Sequence, residues 1–298
     1  MFSSIFSRKH IDLFEEAAAA NYSDKYRQGD YLVLPPEGDT IISGDIHGNM
    51  ENFDLLMEIA DLKRNPKRHL VVHELIHNIY REGIMRDKSK EIIVWAAELK
   101  CEFPNNFHYV TGNHELAEIQ GKGIMKDGIK VPLVFGTANQ KNIKKGNYGS
   151  KYRTSAINFL KGLLVGVRHR GGIWMSHSIP SKAMHQFSLS LFDGKKATDE
   201  LTTLVKSQQA YKQSVLEDLT WGRDFSDNLV QAFKTKVNAN VIVIGHEFQE
   251  KGWHVPHKDM VILDTTGEQG TYLHLRNDKR YTHKEVVQSI QKLHKHKL

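Results

Sequence analysis

Phe107-His108-Tyr109-Val110-Thr111-Gly112-Asn113-His114-Glu115 runs from a short apolar stretch straight into polar side chains that can bind metal. Phe107 to Val110 reads as a strand. Just beyond it stand an amide oxygen, an imidazole and a carboxylate. The same order recurs along the chain. Thr40-Ile41-Ile42 precedes Gly44-Asp45-Ile46-His47-Gly48, and His69-Leu70-Val71-Val72 precedes Glu74. Gly172-Ile173-Trp174-Met175 precedes Ser176-His177-Ser178, and Val241-Ile242-Val243-Ile244 precedes Gly245-His246-Glu247. Between the early strands lie helical faces: Phe53, Leu56, Met57 and Ala60, then Ile92, Trp95, Ala96 and Leu99. Strand–loop–helix repetition predicts an α/β protein with parallel strands. In such sheets, sites form beyond the carboxyl ends of the strands.

The rest of the chain frames this unit. Residues 1–37 are expected to form a polar N-terminal helical leader, with Ala17 to Ala20 favouring helix. Tyr31 to Leu34 and Thr40 to Ile42 bracket the turn-rich Pro35-Pro36-Glu37-Gly38-Asp39, which predicts a hairpin or two short strands. Residues 181–235 read as a helical insert over the site. Val261 to Asp264 and Thr271 to Leu275 flank a glycine-bearing turn and suggest an antiparallel pair. Residues 38–278 are expected to make one compact domain. Residues 279–298 are expected to be a basic C-terminal helix packed by Val286, Ile290 and Leu293.

Composition narrows the class. The 298 residues are 40% apolar and 26% charged, as in an ordinary soluble domain. A single cysteine, Cys101, excludes an internal disulfide and points to a reducing, cytoplasmic setting. No stretch approaches the ~18 apolar residues of a membrane span. The net charge of +6 is mild for this length and gathers in the tail, so a solvated basic face is preferred to a nucleic-acid surface.

The residues just past the strands suit a dinuclear metal site. Asp45 and His47, two apart on an extended segment, can hold one ion. Asn113 is a weak ligand that makes sense only beside stronger ones, which His177 and His246 supply. Glu74 is the carboxylate that could bridge two ions. Imidazole and carboxylate suit Mn, Fe, Zn or Ni, with Mn the first choice, and the lack of thiolates argues against a structural zinc cage. Two divalent ions about 3.5–4 Å apart would activate a water and clamp phosphoryl oxygens. Each motif alone has a plain reading as a turn, a helix cap or a polar strand end. The ordered set of five is what carries weight.

That set resembles the calcineurin-like metallophosphoesterase superfamily, and most closely its phosphoprotein phosphatase branch. The first motif, Gly44-Asp45-Ile46-His47-Gly48, and the third, Gly112-Asn113-His114-Glu115, match in full. The approach from Cys101 and the run from Phe159 to His177 are similar too. The resemblance spans roughly residues 38–275. It implies two packed mixed sheets flanked by helices and a protein serine/threonine phosphatase activity on a phosphorylated substrate. It also implies Asp45 and His47 on a first metal, a bridging Glu74, and Asn113, His177 and His246 on a second. His114 would donate a proton to the leaving oxygen.

The second motif departs from the family pattern. His73-Glu74-Leu75-Ile76-His77-Asn78 stands where that pattern has Gly-Asp-x-x-Asp-Arg. Glu74 replaces the bridging aspartate, His77 replaces the aspartate that orients the catalytic histidine, and Asn78 replaces a phosphate-gripping arginine. His77 is therefore expected either to accept a hydrogen bond from His114 or to face substrate. Arg223, in Trp221-Gly222-Arg223-Asp224, is the best substitute grip on phosphate. Three rivals remain. One is a diadenosine-tetraphosphatase-like nucleotide hydrolase, suggested by Leu263-Asp264-Thr265-Thr266-Gly267. Another is a zinc peptidase, since His73-Glu74-Leu75-Ile76-His77 spells His-Glu-x-x-His, although that chemistry requires a helix. The third is a phospho-ligand binder without turnover.

Overall fold

The computed structural model describes residues 2–78, 88–126, 129–131, 133–136, 147–193 and 202–296. In chain order the elements are α1 (Phe2–Ser23), β1 (Arg27–Gln28), β2 (Tyr31–Val33), β3 (Asp39–Asp45), α2 (Met50–Ala60), β4 (Arg68–His73), α3 (Ser89–Glu102), β5 (Phe107–Val110) and α4 (Asn113–Gln120). They continue with β6 (Ile124–Lys126), β7 (Ile129–Val131), α5 (Asn147–Lys161), β8 (Gly166–His169), β9 (Ile173–Met175), α6 (Thr202–Trp221) and α7 (Asp227–Val237). The last are β10 (Val241–Ile244), β11 (Trp253–His257), β12 (Met260–Leu263), β13 (Thr271–Arg276), α8 (His283–Gln288) and β14 (Ile290–Lys292). Among the described residues no helix is long and apolar enough to cross a membrane.

Among the described residues, twelve strands build two mixed sheets, as the α/β reading with paired sheets expects. One runs β1-β2-β8-β9-β10-β12-β11 and the other β14-β13-β3-β4-β5. Strands β6 and β7 form a separate antiparallel pair. Side-chain alternation explains the layering. Ile42 and Val71 point between the sheets, where they meet Val167, Met175, Val243 and Leu263 from the opposite sheet. Their neighbours Ile41, Leu70 and Val72 point outward onto Phe53, Ile92 and Phe159 of the flanking helices. The far face of the larger sheet packs Trp174 and Ile242 against Val215, Phe233 and Val237 of α6 and α7.

The five ligand-bearing strands fall into two sets. Strands β3, β4 and β5 are parallel neighbours in the five-stranded sheet. Strands β9 and β10 are parallel neighbours in the other. The sheets meet at their carboxyl ends, where the backbones of Asp45 and Asp264 form a parallel bridge. Gly44 N–H also donates to Thr265 Oγ1 across this junction, at 2.8 Å.

Tyr31–Val33 and Asp39–Asp45 are the two short strands and not a hairpin, since β2 pairs with β8 while β3 pairs with β4 and β13. Three expectations change. Strands β12 and β13 do not pair. Both are interior strands of different sheets, and the 264–270 segment crosses between the layers. The leader is not merely polar: α1 buries Ile11, Phe14 and Ala17, and Phe14 meets Phe135, Tyr152 and Phe159 edge-on or stacked. The tail is not one helix. A capping box of Thr282 and Glu285 starts α8, which ends after six residues. Ile290–Lys292 then pairs with β13 and covers a sheet edge that would otherwise be bare.

The 181–235 stretch is largely helical where described, with turns over 181–186 and a non-helical link over 222–226. A 3-10 turn (Leu189–Phe192) and α6 lie within it, and α7 begins in it and runs on to Val237. Asp218 of α6 accepts the N–H groups of Ser181 and Ala183, at 2.8 and 2.6 Å. Ser178 Oγ donates to Gly222 O at 2.5 Å. These bonds tie the end of α6 to the loop that follows His177.

Candidate metal centre

Four of the six described non-glycine residues with positive φ are His47 (+48°), Glu74 (+25°), His77 (+62°) and His246 (+70°). Left-handed backbone costs such residues about 1–3 kcal/mol each and clusters where function holds it. His47 is thus in a turn and not on an extended pair with Asp45, yet its Nε2 lies 4.0 Å from Asp45 Oδ2. The Nδ1 of His47 bonds Ile76 O at 3.0 Å, which leaves Nε2 facing Glu74 Oε2 at 3.2 Å.

The other donors converge from the opposite side. His177 Nε2 is 2.7 Å from Asn113 Oδ1 and 2.9 Å from His246 Nδ1. His246 Nδ1 is 3.0 Å from the same Asn113 oxygen. Glu74 Oε1 stands 3.6 Å from His177 Nε2, and Asp45 Oδ1 stands 3.4 Å from His177 Nδ1. All six expected ligands, Asp45, His47, Glu74, Asn113, His177 and His246, are therefore brought together and buried. Two overlapping groups, His47–Glu74–His114 and Asp45–Glu74–His177, share Glu74.

The donor set fits divalent ions. Ligand atoms bound at about 2.1 Å to one ion sit roughly 3 Å from each other, as the Asn113, His177 and His246 atoms do. Asp45 Oδ1 and His246 Nε2 are buried with no hydrogen-bond partner among the described residues. Charge agrees. Burial opposes ionisation of His177, yet Glu74 and Asp45 beside it raise its pKa to about 9. Burial pushes the Glu74 carboxyl up to about 8. Burial also opposes the Asp45 charge, but His177, His47 and His73 hold that carboxyl below its usual range. Buried carboxylates that draw protons onto an imidazole occupy a place that favours cations.

Two glycines of the motifs are required by this geometry. A Cβ at Gly112 would overlap Glu74 Oε1 and come within 2.8 Å of Glu74 Cβ and Cδ. A Cβ at Gly245 would overlap Asp45 Oδ1 and lie 2.9 Å from its Cγ. Glu115 does work that its place in the motif did not reveal. Its buried carboxylate accepts the N–H groups of Leu75, Ile76 and Gly112 at 3.0 to 3.2 Å, and the Tyr109 hydroxyl at 2.6 Å. It holds the strained loop carrying Glu74 and His77 against the start of α4.

His114 and His77 face each other, Nδ1 to Nδ1, at 2.9 Å. The cleft above them has a volume of about 320 Å³. Arg223 lines it and pairs loosely with Glu247, 3.4 Å away. Met125, Trp221 and Phe248 form an exposed apolar rim. The peptidase reading loses its helix. His73 ends strand β4, and residues 74 to 78 are not helical, so the two histidines do not share a helix face.

Comparisons with known proteins agree with this architecture. No curated protein matches the sequence. A protein serine/threonine phosphatase from Saccharomyces cerevisiae, with similarity to human phosphatase PP5, superposes with a TM-score of 0.59 at 15% identity, over 90% of this chain and 82% of that one. The cold-active protein-tyrosine phosphatase of a psychrophilic Shewanella superposes with a TM-score of 0.55 at 16% identity, over 84% and 78% of the two chains. These likenesses show a shared fold. The model of the calcineurin-like phosphoesterase family matches residues 39–250, which span every ligand described above, and the chain belongs to that family of metal-dependent phosphoester hydrolases.

Proposed function

We propose that the protein hydrolyses phosphomonoesters at a dinuclear metal centre, and that its substrates are phosphoserine or phosphothreonine side chains of proteins in the cytoplasm. The observation that carries this reading is the central position of Glu74, whose two oxygens lie 3.2 Å from His47 Nε2 and 3.6 Å from His177 Nε2. Asp45 and His47 would hold one ion with Glu74, while Asn113, His177 and His246 would hold the other. Manganese is the first choice for both sites. When bound, such ions supply Lewis acidity that activates water and neutralises phosphoryl oxygens.

The chain's own groups supply the remaining steps. His114 spends Nδ1 on His77, so Nε2 is the nitrogen that can protonate the leaving oxygen. Arg223 can grip a phosphoryl oxygen once its weak, exposed pair with Glu247 opens. The apolar rim suits polypeptide flanking a phosphorylated side chain, because it lies outside the charged floor.

The test is turnover of a phosphothreonine peptide with added Mn²⁺, for wild type and His114→Asn. We expect metal-dependent phosphate release that falls about 10²–10⁴-fold in the variant, the usual share of a general acid. Absence of Mn²⁺-dependent release on any phosphomonoester would refute the reading.

A further inference from the structure

His77 does not end the chain of contacts that begins at His114. Beyond it lies Glu118, whose Oε2 is 3.9 Å from His77 Nε2, with both side chains buried. Glu118 is one turn after His114 on α4, so both side chains reach the same side of the helix. His77 sits between them. Its left-handed backbone is fixed by its N–H bond to Ser89 Oγ at 2.7 Å. Glu118 is fixed as well. Oε2 accepts the N–H of Val134 at 2.8 Å, and Oε1 accepts that of Phe135 at 2.9 Å.

We propose that Glu118 is a positioning residue for His114, acting through His77. At 3.9 Å the carboxylate and His77 Nε2 are beyond hydrogen-bond length but within ion-pair range. A negative group there favours the form of His77 that carries hydrogen on Nε2 and a lone pair on Nδ1. That lone pair then accepts from His114 Nδ1–H, across the 2.9 Å contact. His114 is left with Nε2–H for the leaving oxygen. As a water oxygen bonds to phosphorus and gives up a proton to solvent, the bond from phosphorus to the leaving oxygen breaks and its electron pair stays on that oxygen. The Nε2 proton moves to that oxygen, and solvent later returns a proton to His114. The Glu118–His77 pair thereby does what one carboxylate beside His114 would do.

This inference rests on the phosphoesterase reading, so its test separates the two. Full-length, Mn²⁺-loaded wild type, Glu118→Ala, Glu118→Gln and His77→Asn are assayed on a phosphothreonine peptide, phenyl phosphate and 2,4-dinitrophenyl phosphate. Dinitrophenolate leaves without a proton, while the other leaving groups need one. We expect the variants to lose kcat by about 10–100-fold on the peptide and phenyl ester, with KM unchanged and the dinitrophenyl ester within about threefold of wild type. His77→Asp added to Glu118→Gln should restore the peptide rate, because the carboxylate then meets His114 directly.

Parallel losses on all three esters, or no loss at all, would overturn the inference and leave Glu118 as an anchor for residues 134 and 135. Wild type inert on all three would instead refute the phosphoesterase reading. Should the Glu118 variants fail to fold, nitrogen-15 NMR of the wild type decides the matter: hydrogen on His77 Nε2 supports the inference, and hydrogen on its Nδ1 overturns it.

Discussion

Glu74 Oε1 accepts the backbone N–H of His114 at 2.8 Å. One carboxylate therefore faces both groups of candidate ligands and also holds the first turn of the helix that carries His114. It follows the rule that acids favour helix N-termini. Neutralising it should do two things at once. Glu74→Gln is expected to reduce bound metal from two ions to one or none, because an amide bridges poorly, and to abolish Mn²⁺-dependent turnover. Plasma mass spectrometry of the purified, Mn²⁺-loaded variant reads the first effect. Two ions retained per chain would place the bridge elsewhere.

The tight fit of Gly112 against Glu74 and of Gly245 against Asp45 makes a sharper prediction. Gly112→Ala and Gly245→Ala each add one methyl group where a carboxylate already sits. Both should lose metal and at least about 100-fold in kcat/KM, the scale on which a misplaced catalytic group is felt. Gly267→Ala is the control, since nothing lies within 4 Å of the added carbon. It should change stability by no more than about 0.5 kcal/mol. An active, metal-replete Gly112→Ala would mean that Glu74 has room to withdraw.

Much of this site was legible because metal chemistry restricts residue types. Asp45 ends a strand, His47, Glu74, Asn113, His177 and His246 each stand one to three residues past one, and the structure gathers all six. Two packed sheets followed from the resemblance, but which strand joins which sheet was not legible. Apolar runs such as Val261-Ile262-Leu263 and Thr271-Tyr272-Leu273 look alike whichever sheet they join, and pairing is decided by contacts far away in sequence. The tail misled because Val286, Ile290 and Leu293 keep helical spacing, while the open edge of β13 offered Ile290 backbone partners. Glu115 and Glu118 were invisible as functional residues. An acid in a short helix reads as a solvated face, and only burial shows otherwise.

The rim predicts a split between substrates. Trp221 and Phe248 are 44% and 47% exposed at the mouth of the cleft. Trp221→Ala and Phe248→Ala should raise KM for a phosphopeptide several-fold and leave kcat and KM for phenyl phosphate near wild type. Arg223→Ala should instead raise KM for both by about tenfold, equivalent to one charged hydrogen bond of about 1.4 kcal/mol. Arg223→Lys should recover only part of that, since an ammonium lacks the planar fork. Equal KM changes on both substrates for the rim variants would move the peptide site off this rim.

Stability should fall with pH before the carboxylates titrate, and the cause lies away from the metal ligands. His69 Nδ1 is 2.9 Å from His108 Nε2, and Asp24 Oδ2 lies 3.2 Å from His108 Nδ1 and 2.9 Å from Lys100 Nζ. Burial, aided by His108, lowers the pKa of His69 to about 3, and burial lowers that of His169 to about 4 and also depresses that of His108. All three lie below the ~6.5 of an unfolded histidine. From pH 6.5 down to about 4 these three histidines therefore bind more protons in the unfolded chain than in the native one. Their share of the stability is complete above that window and is lost as pH falls through it, by up to about 1.4 kcal/mol per pH unit for each histidine. Burial opposes the charge on Asp24, but His108 and Lys100 hold its carboxyl below the usual range, so its contribution persists at pH 4.5. Urea unfolding at pH 7.0, 6.0, 5.0 and 4.5 should show a declining midpoint. His69→Gln should start lower at pH 7 and decline less steeply, and identical slopes for the two proteins would remove His69 from this account.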